Sequence, residues 1–473
     1  MNADRTVQFV RRAAIHLVGA GLLAGIFHLA GEGLSGVTFG LALYLVLAIG
    51  WAHWSAHRSG KRSMGRLDLL FVVGGCLFVL TTTGSRWWED RSDTTDSPVE
   101  LTDPSWIDLE GLASGTPMES ALSGWMQEQI RTDAYPSLDI AVSGPGGLRF
   151  SHTAGDQGVG GPALYPVASV TKAFTGVLLL RLHQEGLVEL DTPIGRYLPE
   201  GVRVTRNAEG EAITLLMLAT HTSGLPRSIP GEMNAQEGSY ESFQPERLYK
   251  ALSESKLEFT PGTDRSYSNF GFGLLGELLG RAAGTPYMDL VRSRLLVPAG
   301  MRDTAFLDYN DPSVRDRLAV PRRGGVGGSI YPPARLKKRL AASGGLASTA
   351  ADLARFGSSL LRTPSPLLDA EHVAMLSQSS ILLGEDGSPG ESAHSSPFGR
   401  VRSWDGPGTV VYKNGGRRGA HAHLLLSFEQ EVAIAVAANR DFDPYEGSPD
   451  DIAERLLRWL APQVAPSNRE GSD

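Results

Sequence analysis

Ser169-Val170-Thr171-Lys172 sets a hydroxyl three residues ahead of an amine. The run behind it, Ala-Phe-Thr-Gly-Val-Leu-Leu-Leu-Arg-Leu-His-Gln-Glu, carries apolar residues at three- and four-residue spacing up to Gly186. That spacing predicts a helix with glycine at its stop. A rise of ~1.5 Å per residue stacks Ser169 and Lys172 on one face. A serine hydroxyl is a poor nucleophile until a neighbour takes its proton, and a buried lysine suits that task because desolvation favours its neutral form. The helix N-terminus adds a partial positive field beside a developing oxyanion. The same pattern recurs at Ser253-Glu254-Ser255-Lys256, among Lys250 and Glu258, where the charges predict a solvated surface. On its own, such a pattern is an ordinary capped helix.

Two later segments supply what Ser169 lacks. Tyr267-Ser268-Asn269 follows Pro261-Gly262 and precedes Phe-Gly-Phe-Gly-Leu-Leu-Gly, a small-residue helix able to pack closely. A tyrosine and an asparagine two apart, in a loop before a helix, can aim at one cleft. There the phenol relays a proton and the amide holds a substrate carbonyl. Lys413-Asn414-Gly415-Gly416 follows Val-Val-Tyr and precedes Arg417. Lysine offers a fixed cation to an anionic substrate group, and glycines beside it let a strand edge approach closely enough for a backbone N–H to reach an oxyanion. Read singly, the first segment is also a turn tyrosine with a capping asparagine, and the second a hairpin turn.

Taken together and in this order, the three segments resemble the serine β-lactamase and penicillin-binding-protein superfamily, in particular its class C β-lactamase-like branch of esterases, D-amino-acid peptidases and carboxypeptidases. Connecting segments resemble it too: Leu216-Met-Leu-Ala-Thr-His-Thr-Ser-Gly-Leu-Pro226 and Ser343-Gly-Gly-Leu-Ala-Ser-Thr-Ala-Ala-Asp352. The resemblance implies Ser169 as acylated nucleophile, Lys172 as its proton partner and Tyr267 as shared general base or acid. Asn269 would orient the substrate and Lys413 would anchor it. Asn414, Gly415 and Gly416 would line the substrate, and the N–H groups of Ser169 and Gly416 would form the oxyanion hole. No metal or organic cofactor is implied. Asn414 stands where the family commonly carries threonine, which bears on recognition of a β-lactam carboxylate. The His221-Thr-Ser-Gly-Leu loop is structural in this resemblance rather than part of a Ser/His triad.

Other chemistries lack their signatures. No H-E-x-x-H, P-loop or G-x-S-x-G occurs, and Cys76 is the only cysteine, so an intrachain disulfide and a cysteine zinc site are excluded. His421 and His423 share a strand face with no third ligand near in sequence, a pattern expected of strand surface.

The elements that must position these residues follow from period and punctuation. Ser123–Ile130 reads as a helix. Leu138–Val142 and Leu148–His152 read as strands joined by Gly144-Pro-Gly-Gly147. Val410–Tyr412, His423–Ser427 and Val432–Ala437 read as strands, and Ile452–Leu460 as a closing amphipathic helix. Helices and an antiparallel sheet bracketing a helical middle predict an α+β fold. The resemblance sharpens this to an α/β/α sandwich around an antiparallel sheet plus an all-α subdomain, with the nucleophile between the two parts.

Ahead of that domain the chain changes character. Apolar runs at about 13–30, 37–54 and 67–83 are each near the ~17-residue minimum for a membrane span, and they predict three transmembrane helices within 1–88. Arg5, Arg11 and Arg12 precede the first, and Arg58, Lys61, Arg62 and Arg66 separate the second from the third. Basic residues are retained in the cytoplasm. This predicts a multi-pass cell-membrane protein, partnered with the bilayer, with its N-terminus inside and everything after Trp88 outside the cytoplasm. Residues 89–115 read as an acidic linker, 116–463 as the hydrolase domain and 464–473 as a polar tail; 324–328 and 384–396 read as loop inserts. The chain has 473 residues and a net charge of −8, yet 1–88 hold 8 basic and 3 acidic groups. The strongly negative remainder disfavours a nucleic-acid partner. The expected function is a membrane-anchored serine hydrolase acting through an acyl-enzyme on a small-molecule or peptide ester, amide or lactam. A non-hydrolysing penicillin-binding or cell-wall-fragment sensor of the same fold is the alternative.

Overall fold

The computed structural model describes residues 118–132, 134–155, 158–204, 212–229, 245–323, 330, 341–378, 395–404, 408–440 and 448–464. The three expected spans, the linker, the insert at 324–328 and most of that at 384–396 lie outside the described residues. Among the described residues no helix is long and apolar enough to cross a membrane.

The strands that read as apolar runs form a six-stranded antiparallel sheet ordered β2-β1-β9-β8-β7-β6. They are β1 (Ser137–Gly144), β2 (Gly147–Gly155), β6 (Arg400–Trp404), β7 (Gly408–Arg417), β8 (Ala420–Ser427) and β9 (Val432–Ala438). Every residue of β1 and β9 is buried, because helices cover both faces. Alternation along each strand divides the core. Val410, Leu425, Ile434 and Val436 pack under the terminal helices α1 (Met118–Arg131) and α9 (Pro449–Val464). Val411, Leu424, Leu426 and Ala435 face the helical half. Gly357 of α7 (Ala350–Leu361) lies against Ala433, where a Cβ would not fit, so small residues set this close layer spacing. Strand β6 is not anticipated from sequence; Arg400, Arg402 and Ser403 break up its two apolar residues, Val401 in the core and Trp404 beside it. A second, three-stranded sheet of β3 (Tyr165–Pro166), β5 (Leu346–Ser348) and β4 (Ala305–Phe306) is also new. Its strands are too short for periodicity to show.

The helical half is built on α2 (Thr171–Gln184) and α5 (Asn269–Ala282), with α3 (Leu215–Ala219), α4 (Pro245–Glu254), α6 (Ala341–Gly344) and α8 (Ala370–Ser377) around them. The three-and-four spacing of apolar residues in α2 marks it as a helix with a buried side. Eleven of its 14 residues are buried, so it is enclosed on all sides. Gly186 (φ +71°) ends it in a left-handed conformation.

Candidate active site

The predicted nucleophile stands just ahead of α2. Ala168–Val170 form a 3-10 turn feeding the helix, and Ala168 holds φ +43°. A left-handed non-glycine residue costs about 1–3 kcal/mol and persists only where its surroundings impose it. Here the turn presents the Ser169 hydroxyl. The Lys172 ammonium lies 3.1 Å from Ser169 Oγ and donates to Asn269 Oδ1 at 2.8 Å and to the Ser343 carbonyl at 2.6 Å. Lys172 is 1% exposed. Three acceptors match the three protons of an ammonium and offset the cost of burying it. Three acceptors suit a charged lysine, whereas desolvation alone favours the neutral amine. The Ser343 carbonyl had no signature in sequence beyond the small residues around it.

Tyr267 supplies the second neighbour. Its phenol oxygen lies 2.5 Å from Ser169 Oγ, and its ring is ringed by cations. Lys172 Nζ is 4.6 Å from the ring centroid, Lys413 Nζ 5.2 Å and the Arg227 guanidinium 5.0 Å. The helix after this loop is capped by Ser268, whose hydroxyl accepts from the Gly271 N–H at 2.8 Å. Asn269 is thereby released from capping and turns its amide oxygen to Lys172.

His221 holds the loop in place. It takes a left-handed φ of +65°, its carbonyl accepts from the Ser266 N–H at 3.0 Å, and its Nδ1 accepts from the Ser268 N–H at 3.0 Å. Its ring packs 4.4 Å from that of Tyr267. Burial, then the nearby cations Arg265, Lys172, Lys413 and Arg400, hold its pKa well below the usual histidine range. A neutral ring with Nδ1 already occupied is a prop, in agreement with the structural role expected of this loop.

The third segment arrives on β7. Strand β6 accompanies β7 only as far as the Arg400–Tyr412 pair, while β8 continues to Arg417. The 413–417 edge thus extends beyond β6. It runs against the nucleophile turn: a Cβ on Gly415 would strike the Val167 carbonyl and the backbone nitrogens of Ser169 and Val170. Glycine is required there by contact. Lys413 is buried beside Tyr267, whereas Gly416 is exposed. Ser169, Lys172, Tyr267, Asn269, Lys413 and Gly415 therefore converge. Asn414 does not join them: it shares the opposite sheet face with Tyr412, and its amide hydrogen-bonds to Asp450. His423, expected on a strand surface, is buried under α9 and paired with Asp450. Among the described residues no cluster of side chains could hold a metal ion.

Ser253 is placed otherwise. It is exposed in the last turn of α4, its hydroxyl donates to the Tyr249 carbonyl at 2.9 Å and the Arg203 carbonyl at 3.1 Å, and Lys256 is exposed past the helix end.

A serine at a helix entrance, touched by a phenol and an ammonium and faced by a glycine strand edge, defines a serine acyl-transfer site on an α+β sandwich. Residues 122–457 match the beta-lactamase family, and the chain belongs to that family, among serine hydrolases of the beta-lactamase-related class. It is 37% identical over 190 residues to the D-alanyl-D-alanine-carboxypeptidase/endopeptidase AmpH of Escherichia coli, a match covering 40% of this chain and 47% of AmpH. The chain thus spans about half the length of that curated relative. Among solved structures it is similar to a beta-lactamase/D-alanine carboxypeptidase from Yersinia pestis in complex with citrate (TM-score 0.57, 22% identity, 73% of this chain and 100% of that one). It is also similar to a D-stereospecific amidohydrolase from Streptomyces sp. (TM-score 0.53, 22% identity, 72% of this chain and 98% of that one). At these identities the two likenesses show the fold.

Proposed function

We propose that this protein hydrolyses an ester, amide or lactam through an acyl-enzyme on Ser169, and that a D-alanyl peptide is the first substrate to try. The observation that carries this reading is the 2.5 Å contact between Ser169 Oγ and the Tyr267 phenol beside a fully coordinated Lys172. With Lys172 held as a cation, the surrounding positive charge favours Tyr267 as a phenolate and so as the group that takes the serine proton. Ser169 then attacks the carbonyl carbon, and the Ser169 and Gly416 N–H groups receive the oxyanion. The protonated phenol returns its proton to the leaving group, and water repeats the sequence on the acyl-enzyme. Lys413 holds an anionic group of the substrate. The AmpH likeness supports the D-alanyl choice.

The proposal extends to the N-terminal runs: three spans there would hold the domain at the outer face of the cell membrane. It is supported by the apolar runs in 1–88 and the basic residues flanking them.

A fluorophosphonate probe tests the chemistry. Incubation of the full chain should leave a covalent adduct that mass spectrometry maps to Ser169, and Ser169→Ala should form none. An adduct persisting in that variant refutes the assignment. Turnover of D-Ala-D-Ala peptides, p-nitrophenyl esters and a chromogenic cephalosporin would rank the substrate classes.

A further inference from the structure

The departure at Asn414 connects the site to the back of the sheet. On β7, Asn414 lies directly across from His423 of β8. The His423 ring is 1% exposed, stacks on Tyr412 at 5.6 Å and 18°, and hydrogen-bonds through Nδ1 to Asp450 in the first turn of α9. Asp450 also accepts from the Asn414 amide. Burial works to raise the Asp450 carboxyl, but the adjacent His423, then His421, and last the Asn414 hydrogen bond bring it below the ordinary aspartate value. His421 and Glu454 face the same pair, Glu454 in turn lying near Arg402 and Arg458. The other ring nitrogen of His423 is buried and has no hydrogen-bond partner among the described residues.

The need for such an anchor follows from the strand. Past Tyr412 the β7 edge has lost β6 and, among the described residues, keeps only β8 as a ladder partner. Its two glycines contribute no side chain to fix the tilt of the peptide planes, and an oxyanion donor misplaced by a fraction of an ångström loses much of its effect. Asn414 is the side chain next to those glycines on the back face, and the Asp450–His423 pair holds it from α9. We propose that Asp450, braced by His423, acts through Asn414 to position the Gly415–Gly416 edge against Ser169. All three are positioning residues, and the inference rests on the acyl-transfer reading above. It also gives Asn414 a reason to be there: an amide N–H reaches the carboxylate behind the sheet.

The test compares saturating rates of fluorophosphonate labelling of the full chain, and the probe concentrations that half-saturate them. Asn414→Ala and Asp450→Asn should each slow the saturating rate about tenfold, an effect smaller than outright loss of an oxyanion donor. Each should leave the half-saturating concentration within about twofold. Combined, they should be no slower than the slower single variant. Asn414→Asp should be at least as slow as the alanine variant, because it sets carboxylate against carboxylate. Pairing it with Asp450→Asn should recover most of the rate by reversing donor and acceptor. A role in folding alone would lower the melting temperature without that recovery. If Asp450→Asn does not fold, Asn414→Ala decides by itself. Single variants within twofold of wild type, effects that multiply in the double variant, or a swap that recovers nothing overturn the proposal. A wild-type chain that forms no adduct sinks the acyl-transfer reading and this one with it.

Discussion

Ser169-x-x-Lys172 and Ser253-x-x-Lys256 are the same pattern in one chain, and only the first is a site. The second closes a helix: its serine bonds to a carbonyl of its own turn and its lysine is in solvent. The first opens a helix that is buried on all sides, so its serine and lysine can be met from outside. Tyr267 arrives from 98 residues away, Asn269 from 97 and the Ser343 carbonyl from 171. The motif itself does no more than set a hydroxyl and an amine one turn apart. What distinguishes the first pair is the two distant segments, 267–269 and 343, that close over it.

Removing the amine is the harshest test of that difference. Lys172→Ala should slow acylation about 10³-fold, because the cation that favours the Tyr267 phenolate is lost and with it most of the ~10²–10⁴ that a general base supplies. It should also destabilise the fold, because Asn269 Oδ1 and the Ser343 carbonyl lose a buried donor at about 1–3 kcal/mol. Lys256→Ala should change neither labelling rate nor melting temperature measurably. Equal effects in the two variants would erase the distinction drawn here. Next in size is Gly415→Val, whose branched side chain would press into the Val167 carbonyl and the Ser169 nitrogen. Acylation should fall about 10²-fold, as for a lost oxyanion donor. A rate near wild type would show that the strand edge is not pressed against the nucleophile turn.

The same comparison explains how far the sequence could be read. Ser169, Lys172, Tyr267, Asn269 and Lys413 were legible because each is a chemical type at a motif position, and most strands were legible because period-two burial leaves a trace. The Ser343 carbonyl was not, since a backbone acceptor carries no residue signature. The short strands β3 to β5 and β6, whose apolar residues Val401 and Trp404 are broken up by Arg402 and Ser403, offer no pattern to find. Asn414 was misplaced for a different reason. A motif suggests one unit facing the substrate, whereas strand alternation turns every second residue away. His423 reads as surface because its partner lies 27 residues downstream, on α9.

The smallest expected effects lie in how stability varies with pH, and they separate the prop under Tyr267 from a buried acid elsewhere. His221 has a folded pKa well below the histidine value, so between that pKa and about 6.5 the unfolded chain holds the extra proton. Stability from this residue is present above about pH 6.5 and is lost as pH falls. Asp139 behaves oppositely. Burial raises its carboxyl to about 6 despite hydrogen bonds from the Ala350 N–H and the Thr153 hydroxyl. The folded chain therefore keeps a proton that the unfolded chain has released, and stability is lost as pH rises from about 4 through 6. Two pKa units correspond to about 3 kcal/mol at most. Replacing His221 by asparagine, which tolerates the left-handed φ, should lower the melting temperature most above pH 6.5, with the deficit narrowing toward pH 5. Asp139→Asn should show its deficit at pH 4 and lose it by pH 7. Melting curves of both variants beside wild type across pH 4–7.5 would measure this, and deficits that stay constant with pH would mean that neither group has the protonation state assigned to it. For His221 the outcome reaches the site, because a ring that charged below pH 6.5 would give up the Ser268 N–H and loosen the loop that carries Tyr267 to Ser169.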